Sequence, residues 1–298
     1  MDSDSKHVLT ILGLVACFGA GYFACKGENH DALALGEKFN VFTRIENQID
    51  GKADMKFENE DIAIKNAVNG YYNTADRYSA YITDSAEDEE IGSSELPEFT
   101  NKYQLFENIV YINSGNFHVD GIQGFAHYFR DYPEPECDGF IIDLRQNTGG
   151  MTEYSISLLS DFLSPVDNLV ILNYYDGTTT TRNISGNSKK TSADVVILVN
   201  EKTASAAEIF TSAMKQFYDG NVTIIGTQTR GKGSFQEVVY LSDNEQFKYT
   251  AGKYTVGNWQ CYDGVGISPD IEISMDYQSE IICTDDDIQF QSALELFK

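Results

Sequence analysis

Residues 195–208 read Val-Val-Ile-Leu-Val-Asn-Glu-Lys-Thr-Ala-Ser-Ala-Ala-Glu, and this stretch indicates how the chain folds. Its apolar first part is rich in β-branched side chains, which predicts a buried strand at residues 195–199. After a short loop, Ser205 begins an apolar helical pattern that continues to residue 217. The sequence therefore predicts a strand, a short loop and a helix in succession, with a serine at the start of the helix.

The same alternation of short apolar runs and helix-length amphipathic stretches continues on both sides of this segment. Further strands are predicted at residues 108–112, 139–144, 169–174, 222–225 and 238–241, and further helices at residues 119–129 and 153–163. Alternation of this kind is typical of an α/β domain with a largely buried sheet. We expect this domain, which carries the chemistry discussed below, to occupy residues 103–298.

Two segments of different character precede the α/β domain. Residues 26–83 carry apolar side chains at helical spacing and predict a small helical subdomain. Residues 84–102 are acidic, contain serine and glycine, and include Pro97, so they predict a linker.

An uncharged apolar stretch, VLTILGLVACFGAGYFAC, occupies residues 8–25 after a short N-terminal tail at residues 1–7. It is long enough to cross most of a bilayer's hydrocarbon core as a helix, so we expect an uncleaved, single-pass transmembrane anchor. A cleaved signal peptide, or a lipoprotein signal ending at Cys17, is the alternative. We place the protein at the cell membrane, with its acidic domain outside the cytoplasm.

The charge of the chain excludes some classes of partner. An excess of 46 acidic over 21 basic residues gives a formal net charge of −25. Because nucleic-acid binding needs clustered cations, we expect no nucleic-acid partner. The acidic runs at residues 87–90 and 285–287 are interpreted as solvated surface. No Cys or His spacing typical of a zinc site occurs, and we expect neither a metal nor a cofactor.

Ser205, Lys232 and Gln236 are the residues best suited to chemistry. Ser205 lies between alanines at a helix start, where free amides and the helix dipole can stabilise a developing oxyanion. Lys232 lies between two glycines, and a partly desolvated lysine can accept a proton. Gln236 is expected on the same face of the following strand, where it can orient the ammonium. Taken singly, each has a simpler interpretation: a helix cap, a surface lysine and a polar strand residue.

A second unusual segment, Gly-Phe-Ile-Ile-Asp-Leu-Arg-Gln-Asn-Thr-Gly-Gly, occupies residues 139–150. A predicted buried strand here runs into a turn with two glycines, which permit main-chain conformations and close approaches that side chains forbid. The turn can supply half of an oxyanion hole. Alternatively, it is a tight structural turn braced by a pair between Asp143 and Arg145.

Together these segments resemble the carboxyl-terminal processing (tail-specific) serine protease family. The resemblance covers roughly residues 103–270 and consists of motifs in the family's order. They are Asp-Leu-Arg-x-Asn-x-Gly-Gly from Asp143, Val-Asn-x-x-Thr-Ala-Ser-Ala-x-Glu from Val199, Gly-Thr-x-Thr-x-Gly-Lys-Gly-x-x-Gln from Gly226, and Gly-Val-Gly-Ile-Ser-Pro-Asp from Gly264. The resemblance implies a crotonase-like or Clp-protease-like α/β core.

The resemblance also implies a role for each site residue. Ser205 would be the nucleophile, Lys232 the general base, and Gln236 the residue that orients the lysine. The oxyanion hole would be formed by the main-chain amides of Gly150 and Ala206, with Gly149 as a weaker candidate.

The sequence departs from the family pattern at several positions. Residues 76–81, Asp-Arg-Tyr-Ser-Ala-Tyr, are similar to the family's Asp-Pro-x-Ser-x-Tyr segment, with Arg77 in place of proline. Ala207 stands where serine is usual, and Arg230 where an aromatic residue is common. In most members a PDZ domain follows this segment, but the interval between Tyr81 and Tyr111 is too short to hold one. The resemblance therefore does not extend to tail recognition by a PDZ domain.

These observations predict a membrane-anchored serine endopeptidase that cleaves protein or peptide substrates through an acyl-enzyme. The alternative is a non-catalytic module on the same fold that binds peptides or envelope components.

Overall fold

The computed structural model describes residues 40, 41, 45, 60–83, 103–117, 128, 129, 136–186, 191–242, 244–258 and 262–298. The predicted anchor at residues 8–25 and the predicted linker at residues 84–102 lie outside this part of the chain. Within the described ranges, no helix is both long enough and apolar enough to cross a membrane. Contacts divide the chain into a first unit, residues 1–64, whose described residues are helical, and a second unit, residues 65–298.

The described elements follow one another from an N-terminal helix to a C-terminal helix. In chain order they are α1 (Glu60–Asn73), β1 (Ala80–Thr83), β2 (Tyr103–Phe106), β3 (Ile109–Asn113), β4 (Gly139–Asp143), α2 (Thr152–Phe162), β5 (Val166–Tyr174), β6 (Thr179–Ile184), β7 (Asp194–Val199), α3 (Ala206–Phe217), β8 (Val222–Gly226), β9 (Ser234–Ser242), β10 (Glu245–Val256), β11 (Ile271–Glu272), a 3-10 turn (Ser279–Ile281) and α4 (Ile288–Glu295).

The larger sheet has the strand order β11-β8-β7-β4-β3-β2, and all of its neighbouring strands are parallel except β2 and β3. Helices α2 and α3 contribute to the main core on one face of this sheet, and α4 packs on the other. Strands β4 and β7 are therefore buried on both faces, which explains their continuous apolar runs. The α/β class predicted from the sequence is confirmed.

A second, antiparallel sheet has the strand order β1-β10-β5-β6, with β9 paired to the long strand β10. The local sequence pattern predicts only parts of β5 and β9 and does not predict β1, β6 or β10. Residues 80–83 lie at the end of the predicted helical subdomain, yet they form a strand because they pair with residues 245–248 of β10. The division between the two units falls after Ile64.

The acidic run at residues 285–287 is not entirely solvated surface, in contrast to the prediction from the sequence. Asp287 is fully buried, and its carboxylate accepts the Phe290 amide at the start of α4. It also accepts two hydrogen bonds from the Arg145 guanidinium, at 2.9 and 2.8 Å. A long-range partner therefore holds this carboxylate inside the protein, which the local charge pattern does not reveal.

Candidate active site

Ser205 lies at the junction between β7 and α3, where its backbone has φ 57° and ψ −119°. This conformation is costly for a residue with a side chain, by roughly 1–3 kcal/mol, and such strain is concentrated at functional sites. If the Ser205 side chain capped α3, its hydroxyl would accept a hydrogen bond from the Glu208 amide. That amide instead donates to the Ser205 main-chain carbonyl at 2.8 Å. The strained turn thus places the hydroxyl at the amino end of α3, half-buried.

Glu208 joins the serine segment to the lysine segment. Its carboxylate is fully buried, and its Oε2 atom accepts hydrogen bonds from the amides of both Ser205 and Lys232, each at 2.9 Å. Its Oε1 atom accepts from the Thr229 hydroxyl at 2.5 Å and from the Gly231 amide at 2.8 Å. One carboxylate therefore fixes two loops that are far apart in the sequence.

Glu208 belongs to a family motif, but its role is not evident from the sequence. The signal that was present is the Ser-x-x-Glu spacing, which is typical of a capping box. In the structure, the Glu208 carboxylate accepts the Ser205 amide as a capping box requires. The hydrogen bonds to residues 229–232 are a tertiary contact, so the local spacing does not predict them.

The two glycines beside Lys232 are required by close packing. Gly231 has φ +76°, and a Cβ atom there would lie 2.6 Å from the Gly266 amide nitrogen. A Cβ atom on Gly233 would lie 2.7 Å from Cβ of Asp263. The main chain on both sides of the lysine can therefore follow this path only without side chains.

The Lys232 side chain is held by Gln236 and covered by Tyr78. Its Nζ donates to Gln236 Oε1 at 2.9 Å and lies 4.6 Å from the centre of the Tyr78 ring. Burial, together with the charges of Lys248 and Arg230, lowers the pKa of Lys232 to about 8. In this structure Nζ makes no hydrogen bond to the Ser205 hydroxyl; such bonds are often long without substrate. The lowered pKa makes a neutral fraction of the lysine available near neutral pH.

Tyr78 is positioned by a turn at residues 76–79, and its function is not evident from the sequence. Asp76 accepts hydrogen bonds from the Tyr78 amide at 3.0 Å and the Ser79 hydroxyl at 2.6 Å. It also accepts from the Thr250 amide at 3.3 Å, and the Thr250 hydroxyl receives a hydrogen bond from Gln236, also at 3.3 Å. The turn, β10 and the lysine's partner thus form one connected network.

The predicted oxyanion turn lies directly against the serine segment. Gly149 has φ +99°, and a Cβ atom there would lie 2.7 Å from Cβ of Ser205 and 2.9 Å from the Ala206 nitrogen. The Gly149 amide already donates to the Asn147 side chain at 2.9 Å. The amides of Gly150 and Ala206 have no acceptor among the described residues. These two amides are thus available to a substrate, whereas the Gly149 amide is engaged.

The pair between Asp143 and Arg145, which the alternative interpretation of this turn predicts, is present. Arg145 is buried, and its guanidinium pairs with Asp143 at 2.6 Å and with Asp287 at 2.8 Å. Its Nη1 also donates to the Gln289 side chain at 3.1 Å. This buried network ties the turn after β4 to α4. In the described ranges, no group of three or more His, Cys, Asp or Glu side chains is arranged to hold a metal ion.

The structure brings together all the site residues predicted from sequence: Ser205, Lys232, Gln236, Gly149, Gly150 and Ala206. The hydroxyl, a lysine of lowered pKa and unengaged amides are the groups needed for acyl transfer through a serine. Their catalytic roles stay a prediction.

The chain is similar to two curated proteins that are named for carboxyl-terminal processing. The carboxyl-terminal-processing protease of Synechocystis sp. is 31% identical over 191 residues, which are 64% of this chain and 44% of the relative. The carboxy-terminal processing protease CtpA of Bacillus subtilis is 30% identical over 154 residues, 52% of this chain and 32% of the relative. The chain thus spans less than half the length of these curated relatives.

A solved structure supports the fold over a larger part of the chain. A lipoprotein from Streptococcus agalactiae matches 82% of this chain and 83% of its own, with a TM-score of 0.60 and 21% identity. At that identity the match concerns the fold alone.

The resemblance based on the sequence motifs is confirmed by a match to a family. That match includes the segments that carry Asp143, Ser205 and Lys232. Peptidase family S41 matches residues 108–273, more than half of the chain, and the chain belongs to this family.

Proposed function

We propose that this protein is a membrane-anchored serine endopeptidase that hydrolyses peptide bonds through Ser205, Lys232 and Gln236 on a crotonase-like core. The observation that carries the proposal is the environment of Lys232. Its side chain is half-buried beneath Tyr78, held by Gln236, and has a pKa of about 8. A purely structural or surface lysine does not need this environment, whereas a general base does.

In the proposed acylation step, Lys232 acts as the general base and Ser205 as the nucleophile. Neutral Lys232 takes the proton from the Ser205 hydroxyl as the oxygen attacks the substrate carbonyl carbon. The amides of Ala206 and Gly150 donate to the oxyanion of the tetrahedral intermediate. When the carbon–nitrogen bond breaks, the Lys232 ammonium returns the proton to the leaving amine, and the acyl group stays on Ser205.

Deacylation uses the same groups with water as the nucleophile. Lys232 accepts a proton from water, the hydroxide adds to the acyl carbon, and the Ser205 oxygen leaves with the proton that the ammonium carries. Gln236 keeps Nζ in place throughout, because its Oε1 accepts one of the ammonium protons and its amide contacts Thr250.

The two relatives described above are named for carboxyl-terminal processing. For this chain we propose peptidase activity without PDZ-dependent tail selection, because the interval between Tyr81 and β3 is too short for such a domain. We further propose that residues 8–25 anchor the protein in the cell membrane, with the catalytic domain outside the cytoplasm.

The proposal is tested with the purified full chain, a fluorophosphonate probe and casein. We expect covalent labelling and casein cleavage by the native sequence, and neither by Ser205→Ala. The Ser205→Ala protein should keep its far-UV and near-UV circular dichroism, since the substitution removes only a half-buried hydroxyl.

The rival interpretation, a non-catalytic binding module, predicts a different result. Such a protein would bind casein peptides equally well with or without the Ser205 hydroxyl, and it would cleave none of them. Cleavage that is unchanged by Ser205→Ala would also contradict the proposal, because it would place the nucleophile elsewhere.

Glu208→Gln is expected to lower kcat/KM by about 100-fold while the protein stays folded. The glutamine NH₂ group cannot accept hydrogen bonds, so one pair of donors loses its acceptor: either the Ser205 and Lys232 amides, or the Thr229 hydroxyl and the Gly231 amide. Displacement of a catalytic group by about 1 Å can cost about this factor. Peptide hydrolysis and near-UV circular dichroism are the measurements.

The matched control is Glu201→Gln, which removes an exposed carboxylate from the loop before Ser205. It should change kcat/KM by less than about twofold, since surface substitutions away from such contacts have small effects. Equal activity of the Glu208→Gln and Glu201→Gln proteins would show that the hydrogen bonds of Glu208 are dispensable for catalysis.

A further inference from the structure

The cations near Lys232 lack acidic partners. Of the other cations in the described ranges, the exposed Lys202 pairs with no carboxylate, whereas Arg145, Arg182, Lys215, Lys253 and Lys298 each pair with one. By contrast, Arg77, Arg230, Lys232 and Lys248 form no ion pair with any described residue. In a chain with a net charge of −25, unpaired cations gathered at one place call for an explanation.

Arg77 reaches the site through Tyr78. Its guanidinium donates to the Tyr78 hydroxyl at 2.7 Å, and the same ring covers the Lys232 ammonium. Arg77 is exposed, so its remaining donors face solvent beside the lysine. This is also the position at which the chain departs from the family's proline.

Lys248 and Arg230 approach from two other elements. Lys248 lies on β10 two residues before Thr250, so both side chains are on the face of the sheet that carries Gln236. Arg230 is exposed and precedes Lys232 in the same loop. The charges of Lys248, Arg230 and Arg77 all lower the pKa of Lys232, as expected for cations close to its ammonium.

The nearby carboxylates form no ion pair with these cations. Asp76 raises the pKa of Lys232, but its oxygens accept hydrogen bonds within the 76–79 turn and from Thr250. Glu208 is occupied by its four donors, and Asp263 pairs with Lys253 at 2.9 Å. Glu237 follows Gln236 and therefore lies on the opposite face of β9.

We propose that Arg77 and Lys248, with Arg230, form a subsite beside the catalytic lysine that selects peptides carrying a carboxylate near the scissile bond. The carboxylate is either an Asp or Glu side chain or the free C-terminus of the substrate. The inference rests on the proposed peptidase function and names its substrate class. It runs against the general tendency of an acidic protein to attract basic substrates through long-range charge.

We expect kcat/KM to be about tenfold higher for a carboxylate-bearing peptide than for its uncharged counterpart, which corresponds to about 1.4 kcal/mol. Exposed charge pairs are individually weak, but several cations acting on one carboxylate add their effects. Because exposed charges are screened, the preference should fall as salt rises from about 0.05 to 0.5 M.

The test compares matched peptides on the full chain. The best-cleaved sequence from a peptide library is resynthesised with Asp, or with isosteric Asn, at each position within three residues of the cleaved bond. If no peptide is cleaved, the library sequence that binds the Ser205→Ala protein most tightly is resynthesised in the same way at each of its positions. Each peptide is made with a free and with an amidated C-terminus. The ratio of kcat/KM between the Asp and Asn peptides cancels any change in Lys232 basicity, since the same base acts on both.

We expect the native sequence to favour at least one carboxylate-bearing peptide by about tenfold, and the Arg77→Gln, Lys248→Gln double variant to lose that preference. The matched control, Arg182→Gln with Lys298→Gln, removes the same number of positive charges from ion pairs elsewhere. This double variant should keep the preference for the carboxylate-bearing peptide. Preference among amidated peptides identifies a side-chain carboxylate. Preference only for the free acid over the amide identifies the C-terminus.

A ratio near 1 for every position and terminus in the native sequence overturns the inference, as does a preference that the double variant retains. Dissociation constants of the same peptides are measured by fluorescence anisotropy with the Ser205→Ala protein. They distinguish failure of the carboxylate subsite from failure of the proposed peptidase function. If no peptide is cleaved, the ratio of these constants decides the inference alone: about tenfold tighter binding of the carboxylate supports it, and equal binding overturns it.

Discussion

Lys232→Met is expected to lower kcat/KM for peptide hydrolysis by about 10³-fold, because it removes the group that takes the Ser205 proton in the proposed mechanism. Lys232→Arg should be as inactive, since a guanidinium stays protonated at any accessible pH. The measurement is peptide hydrolysis by the purified full chain and each variant.

The pH dependence of the native protein tests the same role. In the proposed mechanism the neutral form of Lys232 is the active one, and the pKa of Lys232 is about 8. We therefore expect kcat/KM to rise with pH through about 8 and to level off above it. A pH profile that is flat between about 6 and 9.5 would contradict the assignment of Lys232 as the base.

The same lowered pKa makes a prediction about stability. Between about pH 8 and the ordinary lysine pKa of 10.5, the unfolded chain binds more protons at this site than the folded protein does. The free energy of unfolding should therefore rise with pH over this window, and the buried ammonium should lower stability below pH 8. Lys232→Met removes this dependence, so the variant should be at least as stable as the native protein at pH 7.

The control for both measurements is Lys215→Met. Lys215 pairs with Asp270 at 2.7 Å and is partly exposed, away from the serine segment. Its replacement should leave kcat/KM and the pH profile unchanged. Equal loss of activity in the Lys215→Met and Lys232→Met proteins would indicate a general structural effect and not the loss of a base.

Arg145→Met is expected to destabilise the protein by about 3–5 kcal/mol, because it leaves the buried carboxylates of Asp143 and Asp287 without their cation. The Tyr111 hydroxyl donates to Asp143 at 2.7 Å and would compensate only in part. Urea unfolding at pH 7 measures the difference. The matched control is Arg182→Met, whose exposed pair with Glu153 should contribute less than about 1 kcal/mol.

This destabilisation should depend on pH. Burial by itself raises the pKa of Asp287, but its hydrogen bonds and charge pairing with Arg145 outweigh burial and lower it. A carboxylate with a lowered pKa contributes stability above its unfolded pKa and loses it as pH falls through the folded one. The difference in the free energy of unfolding between the native protein and the Arg145→Met variant should therefore become smaller below about pH 4. A gap under about 1 kcal/mol at pH 7 would show that the network does not stabilise the fold.

The sequence predicted the larger sheet better than the smaller one. Strands β4 and β7 are buried on both faces, so their residues form continuous apolar runs that can be recognised locally. Strand β10 instead mixes exposed polar and buried positions over its length, and β1 is only four residues long. Such strands are defined by their pairing partners, which local patterns do not contain.

The residues of the candidate site likewise fall into those that the sequence identifies and those that it does not. Ser205, Lys232 and Gln236 were identified because glycines, small residues and motif order mark them in the sequence. Glu208 and Tyr78 received no role, although the first joins the two loops and the second covers the lysine. Their importance comes from contacts between segments that are distant in the chain.

The sequence by itself determined the chemical groups of the site, the α/β class and the family, because these depend on residue types, local spacing and the order of motifs. The tertiary structure alone decided that Glu208 joins the serine and lysine loops, that Asp287 is buried against Arg145, and that Arg77 and Lys248 lie beside Lys232 without acidic partners. The physical reason is that desolvation, charge pairing and hydrogen-bond geometry depend on which groups meet in space.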